Sequence, residues 1–232
     1  MFNKNKKKII AIIPARSGSK AIKDKNIKYL GTKPLLGWAV HLCIKSKLFS
    51  KVYVSTDSKK YARIAQKFGL VEIILRPKKI SLTRSTDYEM ISHAMKKINI
   101  NYDYIAHIRP TSPLRTLKQI KKAIDDFTKS NYSSLRSVHE NSETAYKTVE
   151  IKNSILKPLK NLKLSLDQIN APRQGFEKTY SPNGIIDIYR KKFILKNKLL
   201  FGKKSKAFIT PLSQEIDTID DFKYLKNVWK KW

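Results

Sequence analysis

Residues 9–13 are five consecutive apolar side chains, Ile-Ile-Ala-Ile-Ile, and Pro14 follows them directly. A β-strand that is apolar at every position buries both of its faces, which is typical of a strand inside a parallel sheet covered by helices. Pro14 has no backbone N–H to donate, so the strand is expected to end there. The run therefore predicts a strand at the centre of an α/β core.

The segment after this strand, residues 15–26, is a polar loop rich in cations. Gly18 allows a ligand to approach the backbone closely, and the serines on either side of it offer hydroxyl donors. The loop fits neither the Walker A pattern nor the dinucleotide pattern GxGxxG. It predicts a site for a polyanion, and a plain solvated connection is the alternative that the loop alone leaves open. Its cations are Arg16, Lys20, Lys23 and Lys25.

Strand-like and helix-like patterns alternate along the rest of the chain. Short connections between them predict a three-layer α/β fold with a mainly parallel sheet. Ser55, Thr56 and Asp57 end the second strand and are predicted to cap the helix that follows. Further strands are predicted over residues 51–57, 71–77, 102–110, 133–138, 185–190 and 206–212, and helices over 34–47, 59–68, 89–98, 116–127 and 219–232.

Four polar motifs each follow a predicted strand. They are the basic loop, Asp57, Arg76 and the turn at residues 109–115. Ligands of parallel α/β sheets bind beyond the carboxyl ends of the strands, so these motifs are expected to meet at one edge of the sheet. The charge of that edge predicts a polyphosphate ligand.

Residues 139–181 show no clear period. So long a stretch is not expected to be plain loop inside a compact domain. We interpret residues 1–232 as a single domain, in which 139–181 is a subregion that projects, closes over the site or meets a second subunit.

Glu215 and Asp217 lie two residues apart near the carboxyl terminus. In an extended segment such residues face the same side, so both carboxylates could meet one Mg²⁺ ion that also binds substrate phosphates. The alternative is a helix cap, in which Asp217 or Thr218 begins the last helix and the acidic residues 220 and 221 favour its positive end. Both interpretations can hold together.

The formal charge of +31 first suggests a nucleic acid or an anionic surface as partner. Only 9 of the 49 cationic residues are arginines, and the lysines are spread along the whole chain. Base readout favours arginine, so we expect no specific nucleic acid partner, and any binding is expected to vanish near physiological salt. A single cysteine, Cys43, and the lack of a long apolar run predict a cytoplasmic protein with no membrane partner.

A set of short motifs occurs in a fixed order along nearly the whole chain. The motifs are IPARSGSK (13–20), KDKN (23–26), PLLGWAV (34–40), VSTD (54–57), LRP (75–77), RPTSPLR (109–115), PRQ (172–174), PNG (182–184) and EIDT (215–218). This set resembles the acylneuraminate cytidylyltransferase family. The resemblance implies a Rossmann-like nucleotidyltransferase fold, usually dimeric, with a small inserted dimerisation subregion that would be residues 139–181. It also implies transfer of CMP from CTP to a nine-carbon 2-keto sugar acid, with release of pyrophosphate.

The resemblance also implies roles for individual residues. Asp217 matches the principal Mg²⁺ carboxylate and Glu215 its companion, and Asp217 or a water held by the metal would accept the proton of the sugar hydroxyl. Arg16, Lys25 and Asp217 are the expected catalytic residues. The nucleotide-binding set is Arg16, Ser19, Lys20, Lys25, Asn26 and Arg76, and the sugar-binding set is Arg109, Thr111, Ser112, Arg173, Gln174 and Asn183.

Two positions depart from the family pattern. Arg109 stands where many relatives have Gln, and it could pair with the sugar carboxylate or mark a different acid sugar. Glu215 replaces the commoner Asp. N-acetylneuraminate, legionaminate and pseudaminate remain candidate acceptors, and 3-deoxy-octulosonate fits the motifs less well. Another sugar nucleotidyltransferase, or a basic nucleic-acid-binding domain, is the alternative function.

Overall fold

The computed structural model describes residues 7–159 and 162–229. The strands in this part of the chain are β1 (Ile9–Pro14), β2 (Tyr29–Leu30), β3 (Lys33–Pro34), β4 (Lys51–Thr56), β5 (Glu72–Leu75), β6 (Tyr104–His107), β7 (Ser134–Glu140), β8 (Val149–Lys152), β9 (Ile155–Pro158), β10 (Tyr180–Arg190) and β11 (Ser205–Ile209). The helices are α1 (Leu35–Ser46), α2 (Lys59–Gln66), α3 (Asp87–Lys97), α4 (Leu117–Thr128), α5 (Leu166–Ile169), α6 (Lys191–Asn197) and α7 (Ile219–Trp229).

Seven of these strands form one sheet in the order β11-β7-β10-β6-β1-β4-β5. β1 pairs in parallel with β4 and β6, β4 with β5, and β7 with β11. β10 runs antiparallel to both of its neighbours. Because it runs in reverse, its first residues lie at the edge where the parallel strands end. The predicted three-layer α/β fold with a mainly parallel sheet is confirmed.

The central strand β1 is buried on both faces, as its apolar run predicts. Ile9, Ala11 and Ile13 belong to the hydrophobic cluster that contains residues of α1, α2 and α4. Ile10 and Ile12 belong to a second cluster, with residues of α3 and α6. The helices therefore form a layer on each side of the sheet, and β1 connects the two halves of the core.

A third cluster attaches the end of the chain to the basic loop. Ile216 and two residues of α7, Phe222 and Leu225, pack with Ile22 of the loop and Leu35 of α1. Leu30 completes this buried set. The apolar contacts thus place the Glu215–Asp217 segment beside the loop that follows β1, although 190 residues of sequence separate them.

Several local features differ from the sequence prediction. α2 is capped by Ser58, whose hydroxyl accepts a hydrogen bond from the Tyr61 amide, and not by residues 55–57. Helix α6, which follows β10 directly, was not predicted, and neither were β2 and β3, which are too short to show a pattern. Residues 139–181 contain the end of β7, the hairpin β8–β9, short helical turns and the start of β10. Among the described residues, no helix is both long and apolar enough to cross a membrane.

Candidate active site

The basic loop after β1 is held by hydrogen bonds to two other parts of the chain and by one bond within the loop. The Asp57 carboxylate, at the end of β4, accepts bonds from the Ser17 amide (2.8 Å) and hydroxyl (3.0 Å). Asn26 donates its side-chain amide to the carbonyl of Arg16 (2.9 Å), and Arg16 Nη1 donates to the Leu82 carbonyl (3.0 Å). These bonds fix the loop in place before any ligand binds.

The loop turns over a cavity of about 270 Å³ at the carboxyl edge of the sheet. A Cβ added to Gly18 would meet no described atom within 4 Å, so the backbone there stays accessible. Lys20 is exposed and does not line the cavity. Residues of three predicted motifs do meet at this edge: the basic loop, Arg76 and the turn at 109–115. Those that line the cavity are Arg16, Ser19, Lys25, Asn26, Arg76, Arg109 and Thr111.

Two of the three side-chain nitrogens of Arg76 lack a hydrogen-bond partner. They are Nε and Nη2, which are buried and have no partner within the described residues. Burial lowers the pKa of Arg76, and the carboxylates of Asp57 and Asp87 offset only part of that effect. Because unpaired buried guanidinium groups are rare, an arginine of this kind on a cavity wall points to an anionic ligand.

The carboxylates of Glu215 and Asp217 contact two residues that line this cavity. Lys25 Nζ donates to the Ile216 carbonyl (2.8 Å) and lies 3.1 Å from Asp217 Oδ1. The Thr111 hydroxyl donates to Glu215 Oε1 (2.7 Å). The Asp217 side chain is 74% exposed, so its carboxylate is open to a ligand.

The predicted helix cap forms without the Asp217 carboxylate. Asp221 Oδ2 accepts bonds from the backbone amides of Asp217 and Thr218, and the Thr218 hydroxyl accepts one from the Asp221 amide. The cap therefore leaves both oxygens of the Asp217 side chain outside the helix start.

Glu215 and Asp217 fit a Mg²⁺ ion better than a metal with several protein ligands. Within the described part of the chain, no group of three or more His, Cys, Asp or Glu could hold a metal. Mg²⁺ needs only one or two carboxylates when substrate phosphates supply further oxygens. Asp217 is exposed and Glu215 keeps one oxygen outside its bond to Thr111, so this donor set suits such an ion.

The remaining predicted sugar-binding residues do not share one place. The Ser112 hydroxyl donates to the Asn183 carbonyl, and the Asn183 amide donates to Thr210, with both Ser112 and Asn183 almost fully buried. Arg173 and Gln174 line a separate cavity of about 430 Å³ beside Phe176 and Lys178. Within one chain these residues are not brought to the basic cavity, so their contact with a sugar stays a prediction.

Arg109 lies on the cavity wall and joins two carboxylates that the sequence motifs did not reveal. Its Nη1 donates to Asp187 Oδ2 and its Nη2 to Asp87 Oδ2, each at 2.6 Å. Asp187 also accepts from Tyr189, whose hydroxyl lies 3.2 Å from His107 Nδ1. The sequence did contain a sign that Asp187 is functional or paired, because this carboxylate interrupts the apolar run Ile185–Ile188 of a predicted strand.

His107 is expected to make stability depend on pH. Burial, together with Arg109, lowers the pKa of its imidazole to about 4. As pH falls from 7 to 4, this imidazole binds a proton in the unfolded chain before it does so in the folded chain. The free energy of unfolding therefore drops by about 3 kcal/mol. Chemical denaturation of the wild type and of His107→Gln across this range measures the difference. Equal pH slopes for the two proteins would contradict the assignment.

Comparison with known proteins supports the fold. A solved structure titled CMP:2-keto-3-deoxy-manno-octonic acid synthetase complexed with CTP superposes with a TM-score of 0.72 over 97% of this chain and 99% of that chain, at 15% identity. The two chains therefore share one fold. The sequence profile of the cytidylyltransferase family matches residues 10–228, and the chain belongs to this family.

Curated relatives carry more specific names. An N-acylneuraminate cytidylyltransferase of Escherichia coli O18:K1:H7 is 35% identical over 219 residues, which are 92% of this chain and 49% of that protein. One of the same name from Streptococcus agalactiae serotype V is 31% identical over 93% of this chain and 52% of its own length. The chain thus spans about half the length of these relatives.

Proposed function

We propose that this chain transfers CMP from CTP to the anomeric hydroxyl of a nine-carbon 2-keto sugar acid of the sialic acid type, with release of pyrophosphate. The observation that carries the proposal is the guanidinium of Arg76, two nitrogens of which are buried without a hydrogen-bond partner, on a cavity shared with Arg16 and Lys25. Membership of the cytidylyltransferase family and the names of the relatives support CTP and a sugar acid as the substrates.

The fixed cations account for most of the chemistry that the protein supplies. Attack of the sugar oxygen on the α-phosphorus increases the negative charge on the phosphate oxygens and on the departing pyrophosphate. Arg16 and Lys25 are already held by their bonds to Leu82 and Ile216, so they need little reorganisation when that charge develops. Arg76 exchanges an unpaired buried state for an ionic contact with the triphosphate.

The reaction is proposed to need Mg²⁺, which Asp217 would hold with Glu215 as its companion. The ion would neutralise phosphate charge beyond what the side chains offset. Lys25 keeps the Asp217 carboxylate next to the basic loop, and Thr111 orients Glu215. Asp217 is our candidate for accepting the proton of the attacking hydroxyl.

The hairpin β8–β9 supports a homodimer. All four residues of β8 are exposed, and Ile151, Ile155 and Leu156 are more than half exposed. A two-stranded ribbon is marginally stable alone, and a cluster of exposed apolar side chains is typical of an interface. We propose that two copies pair through residues 139–181, which would let Arg173 and Gln174 act in the partner's site. We expect the dimer in the cytoplasm, where CTP is available.

Binding of CTP through Arg76 can be measured without any acceptor. We expect calorimetric titration of the wild type to show binding of CTP in preference to UTP and GTP. The variant Arg76→Met keeps the aliphatic stem but removes the charge, and it should weaken CTP binding by about tenfold to a hundredfold. Its free energy of unfolding should stay equal or rise, because two buried nitrogens without hydrogen-bond partners have been removed.

The matched control is Lys121→Met, which removes an exposed cation from α4 far along the chain from the loop. It should leave CTP affinity unchanged at physiological salt. Equal losses in the two variants would mean that only the general positive charge attracts CTP. Unchanged affinity in Arg76→Met would remove Arg76 from the nucleotide site.

A further inference from the structure

The two carboxylates bound to Arg109 differ in how firmly they are held. The Asp187 side chain is 1% exposed and lies on β10, in the middle of the sheet. It also accepts the Tyr189 hydroxyl and lies 3.6 Å from Arg136 Nε. Removing it from Arg109 would leave a buried charge with weaker compensation, so this contact is permanent.

Asp87 is the carboxylate that can leave. Its side chain is 47% exposed and meets Arg109 through one oxygen only, on the wall of the basic cavity. As the first residue of α3, it lies at the positive end of a helix, which stabilises its charge in water after it has left. The α3 capping box between Thr86 and Glu89 does not involve the Asp87 side chain.

Arg109 stays a competent anion-binding group throughout. Burial by itself would lower its pKa, but Asp187, Tyr189 and Asp87 outweigh burial and raise it, so the guanidinium is always charged. Its Nη2 atom faces Asp87, and the Arg109 side chain is 16% exposed. Planar guanidinium donors bind carboxylates strongly and with a preferred geometry.

We propose that Asp87 occupies a carboxylate-binding position on Arg109 Nη2 that the carboxylate of the acceptor sugar takes when the acceptor binds. The inference rests on the proposed function and adds a residue to it. Asp87 acts as an internal competitor, so an acceptor must carry its own carboxylate to displace it. Arg109 then serves as the group that distinguishes acid sugars from neutral ones.

Removing the charge of Asp87 should strengthen acceptor binding. In Asp87→Asn, the acceptor KM at saturating CTP should fall by about twofold to fivefold, the range expected for loss of one partly exposed competing ion pair. The KM for CTP should change less than this, because the direct ion pair of Asp87 is with Arg109, whereas Asp87 acts on Arg76 only through space. An acceptor whose carboxylate is replaced by a carboxamide should show no such gain.

The experiment compares wild type, Asp87→Asn, Asp87→Ser and the control Asp125→Asn, which removes an exposed carboxylate from α4. Each is assayed with the best sugar acid for the wild type and with its C1 carboxamide, and the melting temperature of each is recorded. We expect the KM for the sugar acid to be lower than that of the wild type in Asp87→Asn and Asp87→Ser, and to be unchanged in Asp125→Asn. Serine keeps a residue compatible with a helix start, so the second variant guards against misfolding of the first.

Two outcomes overturn the inference while the proposed function stands. An unchanged or higher acid KM in both Asp87 variants would show that Asp87 does not compete with the acceptor. An equal gain with the carboxamide would show that the effect is not carboxylate displacement. Wild-type protein that turns over no sugar acid at all would instead reject the proposed function, and this inference with it.

Discussion

We expect Asp217→Ala to lose Mg²⁺-dependent CMP transfer by on the order of 10²- to 10³-fold while the fold stays intact. The carboxylate is exposed and forms an ion pair with Lys25. Exposed pairs contribute little to stability, so the free energy of unfolding should change by less than about 0.5 kcal/mol. Steady-state assays across a Mg²⁺ titration, together with chemical denaturation, measure both effects.

The control for this variant is Asp220→Ala. Asp220 lies in the first turn of α7, is 82% exposed and pairs with Lys223. It carries the same charge a few residues further along the chain, and its removal should leave turnover within about twofold. Full activity in Asp217→Ala, with the same Mg²⁺ dependence as wild type, would remove Asp217 from the metal role.

Gly184→Ala should damage the same site through the backbone. Gly184 has φ +62°, a conformation that costs alanine about 1–2 kcal/mol. Its new Cβ would lie 2.6 Å from both Glu215 Oε1 and the Ser112 hydroxyl, so one of these side chains must move. Ser112 is fully buried and Glu215 only partly, so Glu215 is the side chain with room to move. We expect a loss of at least about 1 kcal/mol in unfolding free energy and a clear fall in Mg²⁺-dependent turnover.

Gly175→Ala is the matched substitution. A Cβ at Gly175 meets no described atom within 4 Å, and the residue has no positive φ. It should leave both stability and the Mg²⁺ requirement as in wild type. A Gly184→Ala protein with normal stability and normal Mg²⁺ dependence would contradict the positions given to Gly184 and Glu215.

The parts of the fold that could be predicted from the sequence are those that depend on local residue patterns. The apolar run of β1 predicts burial on both faces, and Ile9–Ile13 do alternate between two clusters. The edge at which motifs meet follows from parallel pairing, because Arg16, Arg76 and Arg109 all come after strands of that sheet. In the first case the signal and the outcome lie within one element, and in the second a local signal is combined with the general rule for parallel strands.

The parts that could not be predicted depend on pairing between distant residues. Asp87 and Asp187 are 100 positions apart, and only the antiparallel register of β10 on β6 brings Asp187 next to His107 and within reach of Arg109. The cap of α2 shows a local limit, since several adjacent side chains could accept the same amide and Ser58 does. Arg173 and Gln174 line a different cavity from the basic one, beside residues 141 and 144, which are joined by hydrogen bonds to residues 177–179.

The most direct test of the central claim is turnover of the wild-type chain with a panel of nucleotides and sugar acids, scored by pyrophosphate release and by mass of the product. CTP, UTP and GTP are each combined with N-acetylneuraminate, legionaminate, pseudaminate and 3-deoxy-octulosonate, with and without Mg²⁺. We predict a CMP-sugar from CTP, one nine-carbon acid and Mg²⁺. Turnover with CTP that is no greater than with UTP or GTP would contradict the account.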